Sequence, residues 1–277
     1  MFQQISILGP GLLGASLALT MTKRGLCPRV HSWSRRKETR AEAMEADWCD
    51  AVFDQADAAC EGSDLVVVCT PVETIVALIE QIAPALRPDV LVTDVGSTKN
   101  LICREAQGID VNFIGSHPMA GSERKGMCHA SHNLFDGAAC FITPLDSDRD
   151  SEVVRLQNLW QAIGMRVVTT NPEKHDEIVA HISHLPHLLA SSLCGYLEGM
   201  DADWKSLAGG GLRDTTRVAA GDPTLWKQIF EQNREEVLRA IDGFGSELQA
   251  LRGALLDKKT PELIAHLERG KQFRDSL

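Results

Sequence analysis

The chain has little of several things that common protein classes require. A single tyrosine and eight phenylalanines among 277 residues leave no aromatic platform on which single-stranded nucleic acid could stack. Positive charge is also short: 28 lysines and arginines against 38 acids give a net charge of −10. That is the wrong sign for a nucleic-acid backbone or an anionic membrane as main partner. A small anionic ligand stays compatible, because a few arginines outweigh net charge at short range. There is no uninterrupted run of eighteen apolar residues, which leaves no candidate membrane span. The apolar stretch from Ile5 to Met21 has no basic segment before it and is broken by glycines, so it does not read as a signal peptide. No C-x-x-C pair occurs among Cys27, Cys49, Cys60, Cys69, Cys103, Cys128, Cys140 and Cys194. Their scatter reads as free thiols in a reducing compartment, not as a disulfide framework or a metal site. A cytoplasmic globular protein is expected, long enough for two ordinary domains with self-sufficient cores.

What is present is a regular alternation. Short apolar runs at residues 5–8, 29–33, 65–69, 90–93, 112–115, 139–143 and 165–169 read as strands. Between them, residues 12–24, 37–46, 72–86, 98–105 and 150–163 carry helical spacing. The run at 65–69 is continuously apolar, as expected of a parallel strand covered on both faces. Strands alternating with helices predict right-handed β-α-β units in a doubly wound parallel sheet, one late strand running antiparallel and residues 165–169 closing the sheet. From Pro172 the pattern becomes helical throughout, over 173–198, 223–256 and 261–273. The fold class is therefore an α/β Rossmann-like doubly wound domain over residues 1–170, followed by an all-α domain over 171–277. The helical part is short for an independent core. Its apolar residues, among them Leu188, Leu189, Leu193, Phe230, Val237, Leu238, Ile241 and Phe244, are expected to be buried with the help of a second copy, as a homodimer.

Gly9-Pro10-Gly11-Leu12-Leu13-Gly14 follows the first strand and opens the first helix. In this G-x-G-x-x-G context Gly9 allows the tight turn, Gly11 lets backbone approach a pyrophosphate, and Gly14 lets helix pack on strand. The helix N-terminus, with Leu12 and Leu13, presents free N–H groups to the phosphates. A dinucleotide cofactor is expected here. Dinucleotide sites that prefer a free ribose place an acid after the second strand. This chain has Trp33-Ser34-Arg35-Arg36, and no acid until Glu38. Ser34, Arg35 and Arg36 suit a 2′-phosphate, so NADP is predicted, with NAD possible. Thr70-Pro71 ends the third apolar strand, at the sheet edge where open α/β sheets bind ligands.

Four further segments look chemical: Asp94-Val95-Gly96-Ser97-Thr98-Lys99; Gly115-Ser116-His117-Pro118-Met119-Ala120-Gly121-Ser122-Glu123; His175-Asp176 leading to Ser183-His184-Leu185-Pro186-His187; and Gly209-Gly210-Gly211-Leu212-Arg213-Asp214-Thr215-Thr216-Arg217, with Trp226 beyond. In this order, after the glycine loop, they resemble the prephenate and arogenate dehydrogenases of tyrosine biosynthesis, from residue 4 to about residue 245.

The resemblance implies oxidation of a ring carbinol by hydride transfer to a nicotinamide, with loss of the ring carboxylate as carbon dioxide. Prephenate to 4-hydroxyphenylpyruvate is the leading reaction and arogenate to tyrosine the alternative. A different two-domain hydroxyacid dehydrogenase or imine reductase, and a silent NADP-binding sensor, are weaker readings. By the same resemblance His117 takes the hydroxyl proton, a role imidazole suits near neutral pH, and Ser97 orients it. Arg217 would grip a substrate carboxylate, Asp214 would hold Arg217 one helical turn away, and His187 would contribute to substrate binding. Ser122 is placed at the substrate, with Glu123 gating the entrance. His175 and Asp176 are assigned to an interdomain helix start. The stripe His181, His184, His187 lacks H-E-x-x-H and is interrupted by Pro186, so no metal is expected. Compared with larger members of the family, neither a leading chorismate mutase domain nor a trailing regulatory domain is expected.

Overall fold

The computed structural model describes residues 2–122 and 124–277. The first part alternates β1 (Ile5–Leu8), α1 (Leu12–Lys23), β2 (Val30–Trp33), α2 (Lys37–Met44), β3 (Ala51–Phe53), α3 (Ala56–Cys60), β4 (Leu65–Val68), α4 (Val72–Ile82), β5 (Leu91–Asp94), α5 (Asn100–Ala106) and β6 (Asn112–Phe113). Then come β7 (Gly115–Pro118), β8 (Ala139–Thr143), α6 (Asp150–Ala162) and β9 (Arg166–Thr169). The first six strands form one parallel sheet in the order β3-β2-β1-β4-β5-β6. β1 and β4 are wholly buried because both sheet faces are covered. Ile5, Ile7, Leu65 and Val67 pack with Leu17 and Met21 of α1, while Leu8, Val66 and Val68 face Ile75 and Ile79 of α4. The period of two places alternate residues of one strand into two different cores.

Two details depart from the sequence reading. The short unit β3–α3 was not foreseen, since three half-buried residues carry no usable period. The run 112–115 is not one strand: the chain turns at Ile114, and β7 leaves the parallel sheet to pair antiparallel with β8. β9 pairs parallel with β8, so residues 165–169 complete a separate three-stranded sheet, β7-β8-β9, and do not close the first one.

The rest is helical: α7 (Pro172–Val179), a π-helical turn (Ala180–His184), α8 (Leu185–Glu198), α9 (Gly210–Thr216), a 3-10 turn (Arg217–Ala220), α10 (Pro223–Gln232), α11 (Arg234–Leu256) and α12 (Thr260–Asp275). Pro172, Pro223 and Pro261 sit in first turns, where a missing N–H costs nothing, while Pro186 follows directly on the π-helical turn. The inner core of this part is small, Ala180, Leu185, Val237 and Ala240 with Leu188, Leu189, Phe230 and Ile241 around them. Leu238 and Phe244, expected to be buried, are exposed in the single chain at 53% and 39%. No helix among the described residues is long and apolar enough to cross a membrane.

The order of strands makes a crevice beyond the carboxyl ends of β1 and β4, where successive connections leave in opposite directions. The glycine loop closes one side of it. Gly9 has φ +97°, a conformation open to glycine at little cost, and a Cβ on Gly14 would stand 2.6 Å from the Gly9 carbonyl oxygen. A Cβ on Gly11 would meet nothing within 4 Å. The two positions therefore separate packing from binding. Gly14→Ala should lower unfolding free energy by about 1–3 kcal/mol through overpacking. Gly11→Ala should melt like the parent yet lose cofactor affinity. Equal melting of the two variants would contradict this division.

Candidate active site

A cleft of about 640 Å³ lies between the crevice and the helical part. Its sheet-side wall carries Gly11, Leu12, Leu13, Thr70, Pro71, Ser97, His117 and Ser122; its helical wall carries His184, His187, Arg217 and Trp226. Residues from six segments far apart in the sequence are thus brought together. Gly9 and Gly14 sit beneath the loop, as its turn and its packing point. Asp214 is exposed on α9 and does not line the cleft. Glu123 lies outside the described residues.

His117 lies inside strand β7, opposite Phe141 of β8, and not in a loop after a strand. This placement holds the imidazole rigidly. Its Nδ1 is 2.9 Å from His175 Nε2, and His175 Nδ1 is 2.7 Å from Asp176 Oδ1. Donor and acceptor logic sets the protons along this line. Asp176 already accepts backbone N–H groups, from Lys99 on Oδ1 at 2.8 Å and from Asn100 on Oδ2 at 3.0 Å, so the carboxylate is an acceptor and His175 Nδ1 the donor. His175 Nε2 then has only its lone pair, and His117 Nδ1 must donate to it. The lone pair of His117 is left on Nε2, the nitrogen a general base needs.

Burial keeps these rings neutral. It pushes His117 well below the ordinary histidine value, helped by His175, Lys99 and His184. Burial likewise drives His175 down to about 2, with Lys99 and His184 adding to it. His184 falls to about 4, again through burial, with Asp176 opposing. Asn233, in the break between α10 and α11, reaches His184 Nδ1 at 3.2 Å with its side-chain amide and the Asp176 carbonyl at 2.8 Å. The amide is a donor to Nδ1, so His184 carries its proton on Nε2.

The π-helical turn decides which histidines of the stripe face inward. Its wider turn displaces His181 to the surface, while His184 and His187 are buried. The His187 ring stacks on Trp226 with centroids 3.6 Å apart and planes within 12°. A Cβ on Gly221 would collide with that pair, 2.5 Å from Trp226 Nε1 and 3.0 Å from His187 Cε1. At the cleft mouth Lys125 pairs with Asp222, the N-cap of α10.

The cofactor side shows what the loop can hold. Thr70 Oγ1 is buried without a hydrogen-bond partner among the described residues, and the space beside Gly11 is open. An orphaned hydroxyl and an unfilled cradle at a helix N-terminus fit a dinucleotide pyrophosphate. After β2, Ser34 Oγ accepts the Arg36 N–H at 3.2 Å, while Arg35 and Arg36 are exposed. Arg40, unforeseen, donates to the Ser34 and Arg35 carbonyls at 2.8 and 3.0 Å and shapes this turn. Across the cleft, His184 and His187 are buried and Arg217 lines the same space.

Fold and site together define a nicotinamide-dependent oxidoreductase of two parts, an α/β dinucleotide-binding part and a helical part that completes the cleft. Comparison with known proteins makes the assignment specific. The family description "Prephenate dehydrogenase, nucleotide-binding domain" matches residues 17–169, and "Prephenate dehydrogenase, dimerization domain" matches residues 171–269. The chain belongs to the prephenate dehydrogenase family. It is 31% identical to the prephenate dehydrogenase of Bacillus subtilis over 99% of this chain and 76% of that protein. It is equally 31% identical to the cyclohexadienyl dehydrogenase of Zymomonas mobilis, over 100% and 96%. Among solved structures, prephenate dehydrogenase from A. aeolicus in complex with hydroxyphenyl propionate and NAD+ superposes with a TM-score of 0.95 at 29% identity, covering 100% of this chain and 98% of that one. Synechocystis arogenate dehydrogenase gives 0.86 at 30% identity, covering 99% of each.

Three neutral buried histidines make stability depend on pH in a defined direction. Their folded values lie below the unfolded value near 6.5, so the unfolded chain binds more protons as pH falls. The stabilisation is complete above about pH 6.5 and is lost on going down, through about pH 4 for His184. Each ring contributes up to about 1.4 kcal/mol per pH unit in that window. Denaturant midpoints should therefore drop steeply between pH 7 and pH 5. A flat profile over that range would mean the rings are not held neutral.

Proposed function

We propose that the chain oxidises prephenate to 4-hydroxyphenylpyruvate with loss of carbon dioxide, using NADP. The observation that carries this is the Asp176–His175–His117 line, which presents a neutral base to a cleft whose other side is the glycine loop. Bound there, the oxidised nicotinamide supplies the hydride acceptor. His117 Nε2 takes the proton of the substrate ring hydroxyl while the hydrogen on the same carbon leaves as hydride. The bond from ring to carboxylate then breaks, its electron pair enters the ring, and the ring oxygen takes the proton back from His117 to leave a phenol. Ser97 fixes the hydroxyl beside His117. Arg217 grips a carboxylate, while His187 on its Trp226 platform and Ser122 frame the substrate. Orientation accounts for most of what the protein must supply, since aromatisation makes the chemistry downhill.

Arogenate, giving tyrosine directly, is the second reading, favoured by similarity to an arogenate dehydrogenase as well as to prephenate dehydrogenases. The preference for NADP rests on Ser34, Arg35 and Arg36 after β2, where the first acid, Glu38, is exposed. We assign residues 1–170 to the cofactor domain and 171–277 to the helical domain, and place the protein in the cytoplasm as a homodimer through its helices. Exposed Leu238, Phe244, Leu248, Leu255, Leu256 and Leu267 support a second copy, at 39–68% exposure in the single chain. Solution scattering should return a dimer at micromolar concentration; a clean monomer would overturn that part.

Assay of NADPH formation and carbon dioxide release with prephenate, then arogenate, tests the whole reading. One carbon dioxide per NADPH is expected with prephenate, and turnover of neither compound would end it. Equal kcat/KM with NAD and NADP would defeat the cofactor preference. His117→Asn should lower kcat on the order of a hundredfold or more, with cofactor affinity intact. Arg217→Ala should raise the substrate KM strongly, and an unchanged KM would remove Arg217 from the site.

A further inference from the structure

The segment Asp94 to Lys99 supplies Ser97 to the proposed chemistry, yet its two charged ends have no part in that reading. Both are fully buried, and the Lys99 ammonium pairs with Asp94 Oδ2. The Asp94 carboxylate also accepts two backbone N–H groups. One is that of Gly96, at 2.8 Å, immediately before Ser97; the other is that of Ser116, at 3.1 Å, immediately before His117. A single carboxylate at the end of β5 thus holds a turn of the parallel sheet and strand β7 of the second sheet. Lys99 closes the turn with a bond from Nζ to the Thr98 carbonyl at 2.8 Å, and its own N–H goes to Asp176. Space for the lysine is provided by two glycines. A Cβ on Gly115 would stand 2.6 Å from Thr143 Oγ1, 2.8 Å from Cys103 Sγ and 2.9 Å from Lys99 Cδ, and one on Gly96 would stand 2.8 Å from Asp94 Oδ2.

We propose that the buried Asp94–Lys99 pair is a positioning device that sets Ser97 and His117 against the same substrate atom. The roles of Ser97 and His117 rest on the function proposed above; the geometry of the pair does not. A buried pair is a poor source of stability, because desolvation offsets most of the attraction. Two apolar residues would hold a core as well, but neither could accept the Gly96 and Ser116 amides. The ammonium has a second effect. The titratable groups around His117 are His175 and Asp176 on α7, Lys99 and Asp94 at β5, His184 in the π-helical turn and Cys140 on β8. Within this set Lys99 opposes protonation of His117, adding to the effect of burial.

The test removes both charges at once, as Asp94→Asn with Lys99→Met. Lys99→Met alone would leave a bare buried carboxylate and endanger the fold. In the double variant the asparagine oxygen keeps one amide, and its NH2 group faces the other as donor to donor. Two readouts are taken on folded protein. Histidine 15N chemical shifts should show His117 as neutral Nδ1–H in the parent near pH 6, and titrating at higher pH in the variant than in the parent. Turnover should fall about tenfold or more with the cofactor KM unchanged, the signature of lost orientation. Parental turnover together with an unmoved His117 titration in the folded variant would reduce the pair to a structural filler and overturn the proposal. Should the double variant not fold, Asp94→Glu, which keeps both charges but moves the carboxylate one methylene away from the Gly96 and Ser116 amides, takes its part. The same loss of turnover is then expected, and a parental rate overturns the proposal. The 15N readout needs no substrate, so failure of the parent to turn over either compound would remove the proposed reaction without deciding this point.

Discussion

Asp176 is the constraint on which the site depends. Its two oxygens accept the N–H groups of Lys99 and Asn100 at the start of α5 and the Nδ1–H of His175, while its backbone carbonyl accepts the Asn233 side chain. One residue therefore joins the parallel sheet, the start of the helical part and the junction of α10 with α11. Remove it, and His175 loses the acceptor that sets its tautomer; His117 then has no reason to keep its lone pair toward the cleft. The chemistry of one nitrogen is decided by a carboxylate two side chains away.

Neutrality is the second theme. A base must be unprotonated before it acts, and burial accomplishes this by penalising the imidazolium form of His117, His175 and His184 alike. Uncharged His117 and His184 on the two walls, with His175 behind His117, cost acid stability and leave a cleft whose positive charge comes from Arg217, Arg124 and Lys125. In the proposed reaction, charge for binding and a neutral base for proton transfer are then held on different residues. The net acidity of the whole chain does not contradict this, since charge near the ligand outweighs charge that water screens.

The two parts of the chain contribute differently. The sheet is over-determined: each central strand is buried on both faces, and a Cβ added at Gly9 or Gly14 of the glycine loop would come within 3 Å of neighbouring atoms. The helical part has a thin core and large apolar side chains at its surface, yet it supplies His175, His184, His187 and Trp226. Its docking on α4 through Ile229 and Trp226 is what makes a cleft out of an open sheet edge.

Much of this was readable along the chain. The sheet before Asn112 apart from β3, the glycine loop, the helical second part and the segments bearing Ser97, His117, His187 and Arg217 all announce themselves through local period or local composition, which depend on neighbours in sequence. The escape of β7 into a second sheet does not, because it depends on β8, more than twenty residues away. His175 and Asp176 were visible as a pair and were assigned to a helix start; nothing in their spacing tells that they stand behind His117, fifty-eight positions earlier. Asn233, Arg40 and the Asp94–Lys99 pair carry no sequence signal of their role at all, since a hydrogen bond is made by where an atom ends up. Sequence alone determined the residue types the chemistry has to work with and the elements that carry them. Only tertiary structure decided which nitrogen of which ring is left free, because that is set by partners that meet through folding.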